Sequence, residues 1–188
     1  MNDPVESLKK SQIGVMPTDT VYGIVGSALQ PLVVEKIYQL KKRSSDKPFI
    51  ILISSINDLK KFDVGLTEKQ NEFLEKNWPN PLSVILPSSK KYEYLHRGKN
   101  SLAFRMPKDE KLLEILKQTG PLVAPSANFE GEKIAGTIAE AEKYFGKEIA
   151  FYVDGGKVTA QPSIIIQLNS DGSLKVLRSG LYKTRKLF

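Results

Sequence analysis

Apolar positions along this chain follow two rhythms, short β-branched runs and longer stripes at helical spacing. The runs predict strands at 13–16, 48–54 (PFIILIS), 82–87 (LSVILP), 101–107 (SLAFRMP), 121–125 (PLVAP), 150–154 (AFYVD), 163–168 (SIIIQL) and 174–178 (LKVLR). Pro, Gly and Ser bound most of them, the punctuation expected at strand ends. A helix is predicted from Pro31, with Val33, Val34, Ile37 and Leu40 on one stripe. Another opens at Thr67 with Gln70 as its capping-box partner. The segment DEKLLEILKQTG has acids in its first turn, Leu112, Ile115 and Leu116 on one face, and Gly120 as a stop. A fourth helix runs from Thr137, with Glu140 as its box partner, to Gly146.

Strands alternating with helices predict an α/β arrangement in layers around one sheet. After Lys147 the pattern holds three strand signals and the turns DGGK and NSDG, so part of the sheet is expected to be antiparallel. No repeat, linker or low-complexity segment interrupts the 188 residues, and residues 1–188 read as a single domain.

Composition narrows the chemistry. With no cysteine there is no disulfide, thiolate metal site or cysteine nucleophile to consider, and the single histidine, His96, sits in a polar stretch that reads as a surface loop. No signal-like N-terminus or membrane-length apolar run is present, so the expected location is cytoplasmic, with no membrane contact. The formal net charge of +7 points to an anionic partner: nucleic acid, nucleotide or phosphate.

The familiar glycine-rich phosphate loops and the nucleophile elbow are absent. What the chain offers instead is a set of polar residues placed next to strand ends. These are Thr18, Asp19 and Thr20; Lys41, Arg43 and Lys47; Ser101 and Arg105, on one face of a strand; Ser126 and Asn128; and Ser163 with Arg178. Each has a structural reading too, since Lys41 and Arg43 suit a helix C-terminus and Ser-Ala-Asn suits a turn. Together, cations and hydroxyl or amide groups at strand ends suit a triphosphate plus a small zwitterion.

The segments PTDTVYGIVGSA, KIYQLKKRSSDKPFIILI, WPNPLSVIL, LAFRMP, PLVAPSANFEG, VDGG and LKVLRSG occur in this order and span about residues 9 to 181. In them the chain resembles the YrdC/Sua5 family, in its short stand-alone form. The resemblance implies an L-threonylcarbamoyladenylate synthase, a nucleotidyltransferase making threonylcarbamoyl-AMP and pyrophosphate from L-threonine, bicarbonate or CO₂, and ATP. Separate transfer proteins would then pass the group to adenosine 37 of tRNAs reading ANN codons. It also implies a YrdC/RibB-like α/β (α+β) fold, an open twisted mixed sheet flanked by helices, with a deep basic cavity.

Carried onto this sequence, the resemblance implies threonine contacts from Thr18, Thr20, Arg105, Ser126 and Ser163. Nucleotide contacts would come from Lys41, Arg43, Lys47, Ser101, Asn128, Thr137 and Arg178, with Arg43, Lys47 and Arg105 at the reacting groups. Mg²⁺ would accompany ATP without ligands from protein side chains, and weak tRNA binding is compatible with the charge. Asn80, Ser83, Ile164 and Leu52 depart from residues common in the family, which bears on the shape of the threonine pocket. Segments 44–47 and 129–136 are the ones expected to move. The competing readings are an RNA-binding module in tRNA or ribosome maturation, with Tyr92 and Tyr94 beside Lys90 and Lys91 as stacking candidates, and a carbamoyl-adenylate step in hydrogenase maturation.

Overall fold

The computed structural model describes residues 3–159 and 161–180. A short helix, α1 (Pro4–Lys9), leads into the hairpin β1 (Gly14–Pro17) and β2 (Tyr22–Ser27), followed by α2 (Pro31–Leu40) and β3 (Ile50–Leu52). Next come α3 (Glu68–Asn77), β4 (Leu82–Pro87), α4 (Glu93–His96), β5 (Ser101–Arg105) and α5 (Glu110–Thr119). The chain continues through β6 (Leu122–Val123), α6 (Ile138–Phe145), β7 (Phe151–Tyr152), β8 (Ile164–Leu168) and β9 (Leu174–Arg178). Among the described residues these nine strands form one sheet in the order β7-β1-β2-β6-β3-β5-β4-β8-β9. It is mixed: β1/β7, β3/β5 and β4/β8 are parallel, and the other pairs are antiparallel.

All eight strand segments read from the sequence carry strands here, and the four helices occur where their caps put them. Thr67 and Gln70 close both halves of their capping box. Thr137 accepts from the Glu140 N–H, while the Glu140 carboxylate reaches past Thr137 to the N–H of Gly136. The antiparallel pairing expected after Lys147 holds for β8 and β9, but β7 and β8 run parallel to β1 and β4.

One strand was hidden. The segment Tyr22–Ser27 is not among the predicted strands, yet it is an inner strand of the sheet with every residue but Ser27 buried. Its glycines serve close packing: a Cβ at Gly26 would lie 2.5 Å from Val33 Cγ1 and 3.1 Å from Ile37 Cδ1, so only glycine lets α2 sit this close.

Helices cover both faces. On one, Val33 and Ile37 of α2, Leu74 of α3, Leu95 of α4 and Phe145 of α6 join the larger apolar cluster. On the other, Leu8 of α1 and Leu112 and Leu116 of α5 pack on Met16, Val25, Leu52 and Leu122. Each such side chain contributes roughly 1.5–3 kcal/mol by leaving water. Among the described residues no helix is long and apolar enough to cross a membrane.

His96 is not a surface residue. It is 1% exposed, and its Nδ1 accepts from the N–H groups of Gly98 and Asn100. The polar stretch around it folds as α4 and a tight turn with Arg97, Gly98 and Asn100 at positive φ, and the imidazole caps that turn.

Candidate functional site

The β1–β2 hairpin loop is built by one hydroxyl. Thr18 Oγ1 donates to the Val21 carbonyl at 2.8 Å and accepts from the N–H groups of Thr20 (3.2 Å) and Val21 (3.3 Å). With its only proton committed to Val21, Thr18 can engage Thr20 Oγ1, 3.1 Å away, only as acceptor. Thr18 therefore holds the loop, and Thr20, 2% exposed, is the hydroxyl presented to a cleft at the strand ends.

That cleft is lined by Thr20, Arg43, Arg105, Ser126, Ser163 and Arg178, with Phe49, Ile134 and Ile165 among its apolar walls. Arg105, at the end of β5, is 3% exposed. Its Nη2 lies 3.0 Å from Asp19 Oδ1, and its Nη1 donates to Ser163 Oγ at 3.3 Å. Ser163 Oγ also meets Ser83 Oγ at 2.9 Å. Arg178, at the end of β9, donates from Nε and Nη2 to the Ser163 carbonyl at 3.2 and 2.9 Å. Arg43, just beyond α2, donates from Nε to the Lys47 carbonyl at 3.1 Å and sits over the Phe49 ring.

The electrostatics follow from this crowding. Burial pushes the Arg178 guanidinium below its ordinary pKa, and the charges of Arg105 and Arg43 add to the effect. Burial pushes the Asp19 carboxyl up, with the neighbouring Arg105 cation pulling against it. Asp19 stands among the strand-end polar residues of the sequence, but neither pattern nor resemblance gives it a role there. Its cue was its place between two threonines, where nothing local in the hairpin needs a carboxylate.

Other expected site residues stand behind or beside the cleft. Lys41 is 1% exposed and donates to the Ser126 carbonyl, to the Asn128 carbonyl (2.7 Å) and to Asn128 Oδ1 (3.2 Å). Asn128 is used up internally as well, accepting from Ser126 Oγ at 2.7 Å and donating to the Glu132 carbonyl at 2.7 Å. Burial, helped by the Arg43 charge, lowers the Lys41 ammonium to about 7. Lys47 is exposed and ion-paired with Glu130 at 2.5 Å, and Glu130 also accepts from the Ser44 N–H at 2.6 Å. Segments 44–47 and 129–136 are thus joined directly.

Two candidates are not brought to the cleft. Ser101 lies at the opposite end of β5 from Arg105, paired in register with Pro87. Thr137 is the N-cap of α6. The tyrosines proposed for base stacking are packed inward: Tyr92 is 5% exposed and donates to the Lys61 carbonyl. Tyr94 donates to the Ala28 carbonyl, and burial lifts its phenol to about 12. Among the described residues no group of three or more His, Cys, Asp and Glu side chains could hold a metal ion.

The cleft can be set beside known proteins. The family model for Sua5, YciO and YrdC, described as "Telomere recombination", matches residues 6–180. A threonylcarbamoyl-AMP synthase of Pyrococcus abyssi is 35% identical over 156 residues, covering 80% of this chain and 45% of the relative. One of Bacillus subtilis is 32% identical over 152 residues, covering 79% of this chain and 44% of the relative. The chain therefore spans a little under half the length of these two relatives. The solved structure of P. abyssi Sua5 complexed with L-threonine superposes with a TM-score of 0.85 at 29% identity, covering 94% of this chain and 52% of that one. The mixed sheet, its helical layers and the match over nearly the whole chain show that this protein belongs to the Sua5/YciO/YrdC family.

Proposed function

We propose that this chain is a threonylcarbamoyl-AMP synthase, a nucleotidyltransferase that joins L-threonine, bicarbonate or CO₂, and ATP and releases pyrophosphate. The observation that carries the reading is the convergence of Arg43, Arg105 and Arg178 with Thr20, Ser126 and Ser163 on one cleft. Three guanidinium forks suit carboxylate and phosphate oxygens, and the hydroxyls suit the side chain and amine of a small amino acid. Family membership supports it, as do the relatives named for this activity and the relative complexed with L-threonine.

The chemistry asks little covalent work of the protein. The threonine amine adds to CO₂ to give a carbamate, whose oxygen attacks the α-phosphate of ATP as pyrophosphate leaves. Positioning and charge stabilisation drive such a step. In this reading Arg105 and Thr20 hold threonine with Ser126 and Ser163, and Arg43, Arg178 and Lys47 face the nucleotide. Lys41, Asn128 and Thr18 hold the surrounding backbone. A Mg²⁺ ion arriving with ATP would be held by phosphate oxygens and water and would offset phosphate charge. Separate transfer proteins and tRNA are the downstream partners.

The test is pyrophosphate release from ATP, bicarbonate and labelled threonine. Release that depends on threonine, with label recovered in an adenylate, is expected. A folded sample that releases none in a threonine-dependent manner overturns the reading.

A further inference from the structure

Among the described residues, Asp19 and Asp58 are two buried or nearly buried carboxylates whose surroundings point to opposite jobs. Asp58 is built into its loop: its Oδ2 accepts from Ser54 N, Ser54 Oγ and Ser55 N at 2.9, 2.7 and 3.2 Å, and its pKa is lowered. Asp19 has no such role. Its side chain is 5% exposed, and neither oxygen has a hydrogen bond of good geometry. Thr18, not Asp19, ties the hairpin loop together. What Asp19 has is Arg105, at 3.0 Å, itself 4% exposed along its side chain.

A buried carboxylate whose charge is met by a single guanidinium is costly, so its presence calls for a return elsewhere. The cleft supplies the reason. Three arginines facing one another would draw any polyanion to every part of it. Asp19 cancels the charge of one of them, Arg105. With Nη2 held by Asp19 and Nη1 by Ser163, the guanidinium cannot swing, and its Nε lacks any partner. Arg178 donates from Nη2 to the same Ser163 Oγ at 3.3 Å, so two guanidiniums meet at this end and Asp19 offsets one of their charges. With that charge offset, a ligand that carries its own ammonium beside its carboxylate is disfavoured less than it would be by two uncompensated cations.

We propose that Asp19 is a positioning residue that acts through Arg105 to select a zwitterionic amino acid over a plain carboxylate. This rests on the reading of the cleft as the threonine site. Asp19 touches Arg105, not the substrate, and its negative field favours an ammonium next to the bound carboxylate.

The experiment compares L-threonine with 3-hydroxybutyrate, which is threonine without its amine. Wild type must first release pyrophosphate in a threonine-dependent manner; if it does not, the parent reading fails before Asp19 is tested. In Asp19→Asn the threonine KM is expected to rise about tenfold or more, with the ATP KM changed less than about twofold. Inhibition by 3-hydroxybutyrate is expected to strengthen severalfold, an effect that simple loosening of Arg105 would not produce. Asp19→Glu, which keeps the charge, is expected to retain discrimination between the two ligands. The proposal is overturned if Asp19→Asn leaves the ratio of the two affinities unchanged. It is equally overturned if Asp19→Glu loses that ratio as fully as Asp19→Asn does at an unchanged melting temperature. If Asp19→Asn does not fold, the Asp19→Glu ratio alone decides in the same sense.

Discussion

Lys41 is bonded to Asn128 twice, through the backbone carbonyl at 2.7 Å and through Oδ1 at 3.2 Å, and so points away from the cleft that Arg43 lines. Two residues apart at the end of α2, one cation pins the Ser126–Asn128 turn from behind and the other faces the ligand space. The lysine is a structural member of the site, since it fixes the backbone that presents Ser126.

Its titration is measurable. Lys41 has an ordinary pKa of 10.5 when unfolded and one of about 7 when folded. Between those values the unfolded chain holds a proton that the folded chain has released. Stability from this group therefore rises with pH between about 7 and 10.5, and as pH falls through that window it is lost, completely so below about 7. Urea denaturation of wild type and Lys41→Met at pH 7 and pH 9 should show wild type gaining about 2 kcal/mol on the variant. Parallel curves would mean that the three oxygen acceptors keep the ammonium charged when folded.

The proposed subsites assign Arg105 to threonine alone, which a substitution can test. Replacing it by alanine would leave the Asp19 carboxylate buried and unpaired, at a cost of about 3–5 kcal/mol. Arg105→Lys keeps the charge and removes the fork. The threonine KM of the lysine variant should rise by about ten- to a hundredfold while ATP affinity stays within about twofold. Calorimetric ATP binding beside threonine titrations of pyrophosphate release reads both, and equal losses would sink the division into subsites.

If Lys47 meets the nucleotide as proposed, Glu130 is its competitor. Its carboxylate takes the Lys47 ammonium and the Ser44 N–H, donors that an incoming phosphate could use. An exposed pair of this kind is worth about 0–1 kcal/mol, so Glu130→Gln should lower the ATP KM by at most about fivefold. The threonine KM should not move. A rise in the ATP KM would show that Glu130 helps to shape the loop.

Much of this architecture is written in local signals. Asp109 and Gly120 bracket α5, Thr67 and Gln70 close a capping box, and the β-branched runs carry strands. Relations set by packing were the ones that local signals missed. Tyr22–Ser27 is a strand because it pairs with β1 on one side and β6 on the other, and Gly26 leaves room for Val33 and Ile37 of α2 to pack on it. His96 is buried because α4 turns beneath β5. Lys41 and Arg43 look equivalent along the chain, and only the turn at Ser126–Asn128 distinguishes them. Asp19 needed Arg105, 86 positions on, to acquire a meaning. The motif residues Thr20, Arg43, Arg105, Ser126, Ser163 and Arg178 do meet in one cleft, whereas Ser101 and Thr137 do not reach it.

Tyr22 carries the last prediction, because it ties the hairpin to the loop after β7. Fully buried, its hydroxyl accepts from the Gly155 N–H at 2.8 Å and donates to the Gly156 carbonyl at 2.8 Å. The loop packs closely on β1 here, where a Cβ at Gly155 would lie 2.6 Å from Pro17 Cγ. Tyr22→Phe keeps the ring packing and strands one donor and one acceptor, so it should cost about 1–3 kcal/mol in urea denaturation. Amide exchange should quicken at Gly155 and leave α5, on the opposite side of the sheet from α2, unchanged. If the variant is as stable as wild type, the hydroxyl is not what anchors residues 154–156 to the wall of the cleft.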